Sequence, residues 1–211
     1  MKQVVIFAHP NNQNSFNKAI LEHVLAGAQQ VGAETAVRDL YAMQFNPVLS
    51  WAELQAANQN ITPVEIKYEQ DLLRNADLIT LIYPLWWMGF PAILKGYLDR
   101  VLSHGFAYKT ENGISVGLLQ EKKMQHFITI GSSNDKYQKT GFDVAIRHCL
   151  VDGLFNFCGI TDIDHQLIGD IYVLSEAQRQ GILQQAEQKT QQNLTALLEQ
   201  HGQTGCQRND N

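Results

Sequence analysis

Cysteine is scarce in these 211 residues. Cys149, Cys158 and Cys206 are odd in number and form no C-x-x-C pair, so neither a disulfide framework nor a zinc site has support, and a reducing cytoplasm is the expected location. Long hydrophobic runs are missing too. No apolar stretch approaches the roughly 20 residues of a membrane span. The N-terminal "MKQVVIFAHPNNQNSF" has one basic residue and a short apolar run broken by His9 and Pro10, which is not a signal-peptide pattern. Basic charge is thin: 16 Lys and Arg against 21 Asp and Glu give a net charge of −5, and their scatter argues against a nucleic-acid surface. No Gly/Ser, Pro-rich or charge-block linker interrupts the chain. A single domain over residues 1–200 is therefore expected, with "HGQTGCQRNDN" (201–211) as a disordered tail that has little to bury. Three motifs are also absent. Neither G-x-G-x-x-G nor G-x-x-x-x-G-K-[ST] occurs, and no G-x-S-x-G elbow surrounds Ser15 to make it a hydrolase nucleophile.

What is present alternates between two periods. "QVVIFAH" (3–9) is an apolar run of strand length, and "SFNKAILEHVLAGAQQVGA" (15–33) switches to helical spacing with Ile20, Val24 and Ala28 on one face. "ETAVRDL" (34–40) alternates like an edge strand, and Thr62-Pro63 opens a helix over 63–76. "DLITLIYP" (77–84) is almost wholly apolar, as a parallel strand covered on both faces must be. A helix over 91–103, a strand over 124–131, a helix near 142–157, a strand near 161–168 and a helix from Ser175 to about 200 complete the pattern. Five strands separated by helices make an α/β fold with a parallel sheet. Residues 41–62 are too long for an ordinary connection, and such excursions tend to cover a ligand.

Open parallel sheets bind ligands beyond the carboxyl ends of their strands. After the first strand, "HPNNQNSFNKA" offers small polar side chains at the start of a helix, where free N–H groups and the dipole suit a phosphate. Capping by Asn14 or Ser15 is an equally good reading of those residues. After the third strand, "PLWWMGFP" puts Trp86, Trp87 and Met88 in a turn, and after the fourth, "TIGSSNDKY" (129–137) offers small residues that permit close backbone approach to a planar ligand. Adjacent tryptophans in a loop rarely both point into a core.

The segments "AHPNNQNSFNKAI", "DLYAMQFNPVLS", "ADLITLIYPLWWMGFPAILKGYLDRVLSHGFAY", "ITIGSS" and "GLFNFCGI" together resemble the flavodoxin-like NAD(P)H:quinone oxidoreductases of the DT-diaphorase type, over nearly the whole chain to about residue 195. The resemblance implies a flavodoxin-like three-layer sandwich with a five-stranded parallel sheet in the order 2-1-3-4-5. It implies flavin contacts from His9, Ser15, Phe16, Asn17 and Ala19, from Pro84, Leu85, Trp86, Trp87 and Met88, and from Thr129, Ile130, Gly131, Ser132 and Tyr137. Tyr108 matches a residue lining the substrate pocket. Arg179, in "LSEAQRQGIL", matches an arginine that holds the adenosine half of FAD, so FAD is the expected flavin and FMN the alternative.

The implied activity is ping-pong: NAD(P)H reduces the flavin by hydride transfer to N5, and a quinone then takes two electrons at the same place. The implied assembly is a homodimer with the site at its interface. The chain departs from the pattern at Thr110, where relatives carry a second tyrosine, and near Thr140, where they carry a proton-relay histidine. His148, the next histidine, falls in a helix pattern as a structural residue. Two other roles known among such proteins are an ancillary subunit of a glutathione-gated potassium-efflux system and a flavodoxin-type electron carrier. The latter is disfavoured by the aromatic wall.

Overall fold

The structure is a computed structural model and describes residues 1–57, 59 and 61–207. Its centre is set by β3 (Leu78–Pro84), all seven residues of which are buried. A strand this apolar satisfies its backbone only between two others, and it pairs in parallel with β1 (Lys2–Phe7) on one side and with Lys123–Thr129 on the other. β2 (Glu34–Asp39), half-exposed and alternating, lies outside β1. Between β3 and Lys123–Thr129 in the chain, Tyr108–Glu111 and Ile114–Gly117 form an antiparallel hairpin, β4–β5, so Lys123–Thr129 is β6 and the last strand, Asp162–Ile168, is β7. The sheet order β2-β1-β3-β6-β7, parallel throughout, is the flavodoxin-like order expected, with the hairpin set apart from it. The hairpin was not anticipated, although Asn112-Gly113, with both residues at positive φ, is a strong signal for a two-residue hairpin turn.

Helices cover both faces. α1 (Phe16–Gln30) and the long final helix Glu176–Gln207 enclose a core of Val5, Phe7, Ile20, Val24, Ile82 and Phe127. The two helices approach so closely at Gly27 that an added Cβ would meet the Glu187 carbonyl. The final helix continues past residue 200, and residues 208–211 of the expected tail lie outside the described residues. The opposite face holds Ile6, Leu81, Tyr83, Tyr97 and Phe155, under α3 (Val64–Asn75), α4 (Ala92–Val101) and a π-helix over Arg147–Asn156. The single helix expected near 142–157 is thus a short helix, Phe142–Ile146, running into that π-helix, preceded by Asn134–Thr140 and a left-handed Gly141. Gly153 admits the wide turn, because a Cβ there would press on the His148 carbonyl.

The 41–62 excursion contains a further short helix, α2 (Trp51–Ala57), and packs on α4. Buried Arg100 is its anchor: Nε donates to the Glu53 carboxylate at 2.9 Å, Nη1 to the Asn46 carbonyl at 2.9 Å, and Nη2 to Glu65 at 2.9 Å. Phe45 packs on Tyr97 with ring centres 5.2 Å apart. Pro47 sits directly over Gly96, where any Cβ would overlap its carbonyl and ring. Gly96→Val should therefore destabilise the protein by about 2 kcal/mol by overpacking, read as a lower urea midpoint with an unchanged slope. An unchanged midpoint would mean that the excursion is not seated on α4.

Candidate functional site

The hydrogen-bond ladders run past the strand ends: Ala8 N–H donates to the Ile82 carbonyl at 3.0 Å, Leu85 N–H to Thr129 at 2.8 Å, and Ile130 N–H to Ile168 at 2.8 Å. Four loops therefore leave the sheet side by side at its carboxyl edge. The chain turns one way after β1, to β2, and the other way after β3, to β6, so a crevice opens between the first two of these loops.

In the first loop, Ser15 caps α1, its Oγ accepting from Lys18 N–H at 3.1 Å. The capping role weighed at the sequence level is therefore occupied by Ser15 and not by Asn14. Asn11 N–H donates to His9 Nδ1 at 3.1 Å, and the Asn11 side chain accepts from Asn14 N–H at 3.0 Å, which folds the loop onto itself. Asn17, in the first turn of the helix, is buried, and its Oδ1 has no partner. Phe16 lies under the Arg179 guanidinium at 5.1 Å, while Arg179 Nη2 donates to the Ile171 carbonyl at 2.6 Å. Ala19 packs against the core on the α1 side of the sheet.

The second loop is a tight reversal. Trp86 and Gly89 exchange backbone hydrogen bonds of 3.1 and 3.0 Å, and Trp87 and Met88 between them both have positive φ, 51° and 59°. Two positive φ values define the turn that normally selects Asn-Gly. Two large side chains held there are strained, and such strain concentrates at working sites. Core packing does not account for it: Trp87 is fully exposed, and Trp86 and Met88 are exposed as well. Pro84 is buried at the end of β3, and Leu85 packs on the α4 side of the core.

The turn gathers its neighbours. The His9 ring stands 6.4 Å from Trp86, and Tyr137 OH lies 3.7 Å from Met88 Sδ, with Tyr137 in turn edge-on to Phe142 at 5.8 Å. In the third loop Thr129 and Ile130 are buried, and Thr129 Oγ1 has no partner. Ser132 C=O accepts from Asp170 N–H at 2.9 Å, and Gly131 lies against the Tyr172 ring, which a Cβ would approach to 2.8 Å. Tyr172, exposed in the fourth loop, was missed by sequence reasoning; the apolar pair in "DIYVL" directly after a strand was its signal.

Tyr108 is not brought to this cluster within the chain. It stands at the start of β4, 4.9 Å from the Phe157 ring and 5.5 Å from His104, and lines a separate pocket of about 280 Å³ with Leu54, Ile61 and Leu102. Thr140 is tied into its own helix, Oγ1 donating to the Lys136 carbonyl at 2.9 Å. His148 is exposed, with Nδ1 3.8 Å from Asp152. Among the described residues no group of three or more His, Cys, Asp or Glu could hold a metal ion, and no helix is long and apolar enough to cross a membrane.

A family described as having a flavodoxin-like fold matches residues 1–194. An "Uncharacterized NAD(P)H oxidoreductase" of Haemophilus influenzae is 57% identical over 200 residues, 95% of this chain and 99% of its own. The human "Ribosyldihydronicotinamide dehydrogenase [quinone]" is 31% identical over 210 residues, 90% of each chain. Among solved structures, an NAD(P)H:quinone oxidoreductase from Methanothermobacter marburgensis superposes with a TM-score of 0.81 at 28% identity, covering 90% of this chain and 98% of that one. The parallel sheet with its crevice of carboxyl-edge loops thus has its counterpart in sequence, and the chain belongs to this flavodoxin-like family. Within it, the protein is an oxidoreductase.

Proposed function

We propose that this chain is a flavin-dependent NAD(P)H:quinone oxidoreductase, with the flavin seated between the first three carboxyl-edge loops. The observation that carries the reading is the Trp86–Gly89 turn, strained and exposed, facing His9 on one side and Tyr137 on the other. The residues fit a flavin. Asn17 Oδ1 and Thr129 Oγ1 are buried polar atoms with unmet hydrogen bonds on two of the loops that would hold it, and a ribityl phosphate supplies both hydroxyl donors and phosphate acceptors. A bound flavin would supply the redox chemistry, taking a hydride from NAD(P)H and then giving two electrons to a quinone in ping-pong order.

The chain's own residues would bind and orient. The N-terminus of α1, with its N–H groups and positive dipole end, would receive the phosphate. Phe16, Ala19 and His9 would wall that side, and Pro84, Leu85, Trp86, Trp87 and Met88 would flank the ring. Thr129, Ile130, Gly131, Ser132 and Tyr137 would line the opposite side, where backbone N–H donors favour negative charge on a reduced ring. Arg179, held on Phe16 and the Ile171 carbonyl beside the first loop, would take the adenosine half of FAD, so FAD is the favoured flavin over FMN. Phe142, Val144, Phe157 and Trp87 are exposed apolar groups, and a homodimer would bring Tyr108 and Phe157 of a second copy to the turn as the wall of the quinone pocket.

Thr129→Val tests the seat. The exchange is isosteric and removes an unpaired buried hydroxyl, so the flavin-free protein should be as stable as the parent or more so. Flavin affinity should fall by about three- to tenfold, the worth of one hydrogen bond. Fluorescence titration with FAD and FMN reads both the loss and the preference. Equal flavin affinity in parent and variant would remove Thr129 from the site.

A further inference from the structure

Beneath the π-helix, three polar side chains meet in the core, and one of them, Tyr83, also packs on Phe90 of the second carboxyl-edge loop at 5.1 Å. His126 and His165 are register partners on β6 and β7, and Tyr83 on β3 shares their face of the sheet. Tyr83 and His126 are wholly buried. Tyr83 OH, both ring nitrogens of His126 and Nδ1 of His165 have no hydrogen-bond partner among protein groups. Ring centres are 6.4 Å apart for Tyr83 and His126, and 6.4 Å apart for His126 and His165.

A neutral imidazole carries one N–H and one bare nitrogen, and burial makes each unmet group costly. Phe155 of the π-helix meets the His126 ring edge-on at 5.1 Å. An aromatic face can accept an N–H, but it cannot supply a proton to the bare nitrogen. The neighbouring hydroxyl, Tyr83, itself lacks an acceptor. Two imidazoles bonded directly have ring centres about 5 Å apart, whereas one intervening water stretches that to about 6–7 Å. The observed separation matches the second case. A metal is not suggested, since none of the described residues forms a group of three or more metal-ligating side chains.

We propose that Tyr83, His126 and His165 enclose an internal water site that links β3, β6 and β7 beneath the π-helix. The water donates to the bare nitrogen of His126 and accepts from, or passes a hydrogen bond to, Tyr83 or His165. This fixes the tautomers of both histidines and ties the β3 end, just ahead of Pro84, to the two strands beside it. The site adjoins the second carboxyl-edge loop through Tyr83 and Phe90, but the water needs no bound flavin to hold it.

A high-resolution crystal structure tests it. Density for a water within hydrogen-bond distance of a His126 ring nitrogen and of Tyr83 OH or His165 Nδ1 is expected. A dry cluster, or rings rotated into direct hydrogen bonds, would overturn the proposal. An independent reading comes from melting temperatures. Tyr83→Phe should lower the melting temperature of the parent but leave that of a His126→Leu variant nearly unchanged, because the shared water is already lost. Equal shifts in the two backgrounds would overturn it.

Discussion

Exchanging Trp87-Met88 for Asn-Gly is expected to raise the melting temperature while lowering quinone-reductase turnover. Both residues hold positive φ in a two-residue reversal closed by Trp86 and Gly89. A non-glycine residue in that region costs roughly 1 to 3 kcal/mol, and Asn-Gly relieves the strain at both positions. A gain of about 2 kcal/mol shifts the melting temperature by roughly 4–8 °C in a protein of this size. The exposed indole of Trp87 contributes nothing to the core, so little packing is lost in return. If Trp87 instead stacks on a planar ligand, its loss removes on the order of 1–3 kcal/mol of stacking, about tenfold in kcat/KM. A variant that is stabler and equally active would separate the strain from the function.

Acidification should destabilise the fold with a component traceable to His126. Burial, and secondarily the neighbouring His165, depress its pKa from 6.5 to about 3. His165 is itself depressed, by burial and by Arg147 of the π-helix, with Asp152 opposing. The unfolded chain binds a proton below about pH 6.5 and the folded chain only near pH 3, so between these values the unfolded state holds more protons. Stability from keeping His126 neutral is therefore fully present above pH 6.5 and is lost as pH falls from there toward 3, by roughly 1 kcal/mol per pH unit. His126→Leu, closer in volume and without a titrating group, removes it. Urea unfolding at pH 7, 5.5 and 4 should show the parent losing stability more steeply than the variant. Parallel pH profiles would mean that His126 does not titrate on unfolding.

Much of the fold was legible because its signals are local. "LITLIYP" is apolar at every position, which only a central parallel strand explains, and the switch to helical spacing after "VVIFAH" marks the first βα unit. What was not legible depends on contacts distant in sequence. The break of 142–157 into a short helix and a π-helix has its local mark in Gly141 and Gly153, but the packing of the widened turn on β6, through Phe155 and His126, and on β7 has none. The seating of 41–62 depends on Arg100, an unremarkable helix arginine in sequence that reaches Glu53, Glu65 and Asn46 at once.

The candidate site divides in the same way. The three loops could be found because a parallel sheet puts its strand ends together, and the adjacent tryptophans of "PLWWMGFP" indicated that at least one of them was not core. The strain at Trp87 and Met88 and the unmet hydrogen bonds of Asn17 and Thr129 are three-dimensional facts with no pattern of their own. Tyr108, placed apart from the turn within one chain, joins the proposed site only if a second copy supplies it.

The most direct measurement begins with the purified protein's absorption spectrum. A yellow chromophore released by heat and identified as FAD or FMN, bleached by NADH or NADPH without oxygen and recoloured by menadione, with parallel double-reciprocal plots in the two substrates, is the predicted result. A colourless protein that takes up neither flavin, or a bound flavin that no nicotinamide reduces, would contradict the account.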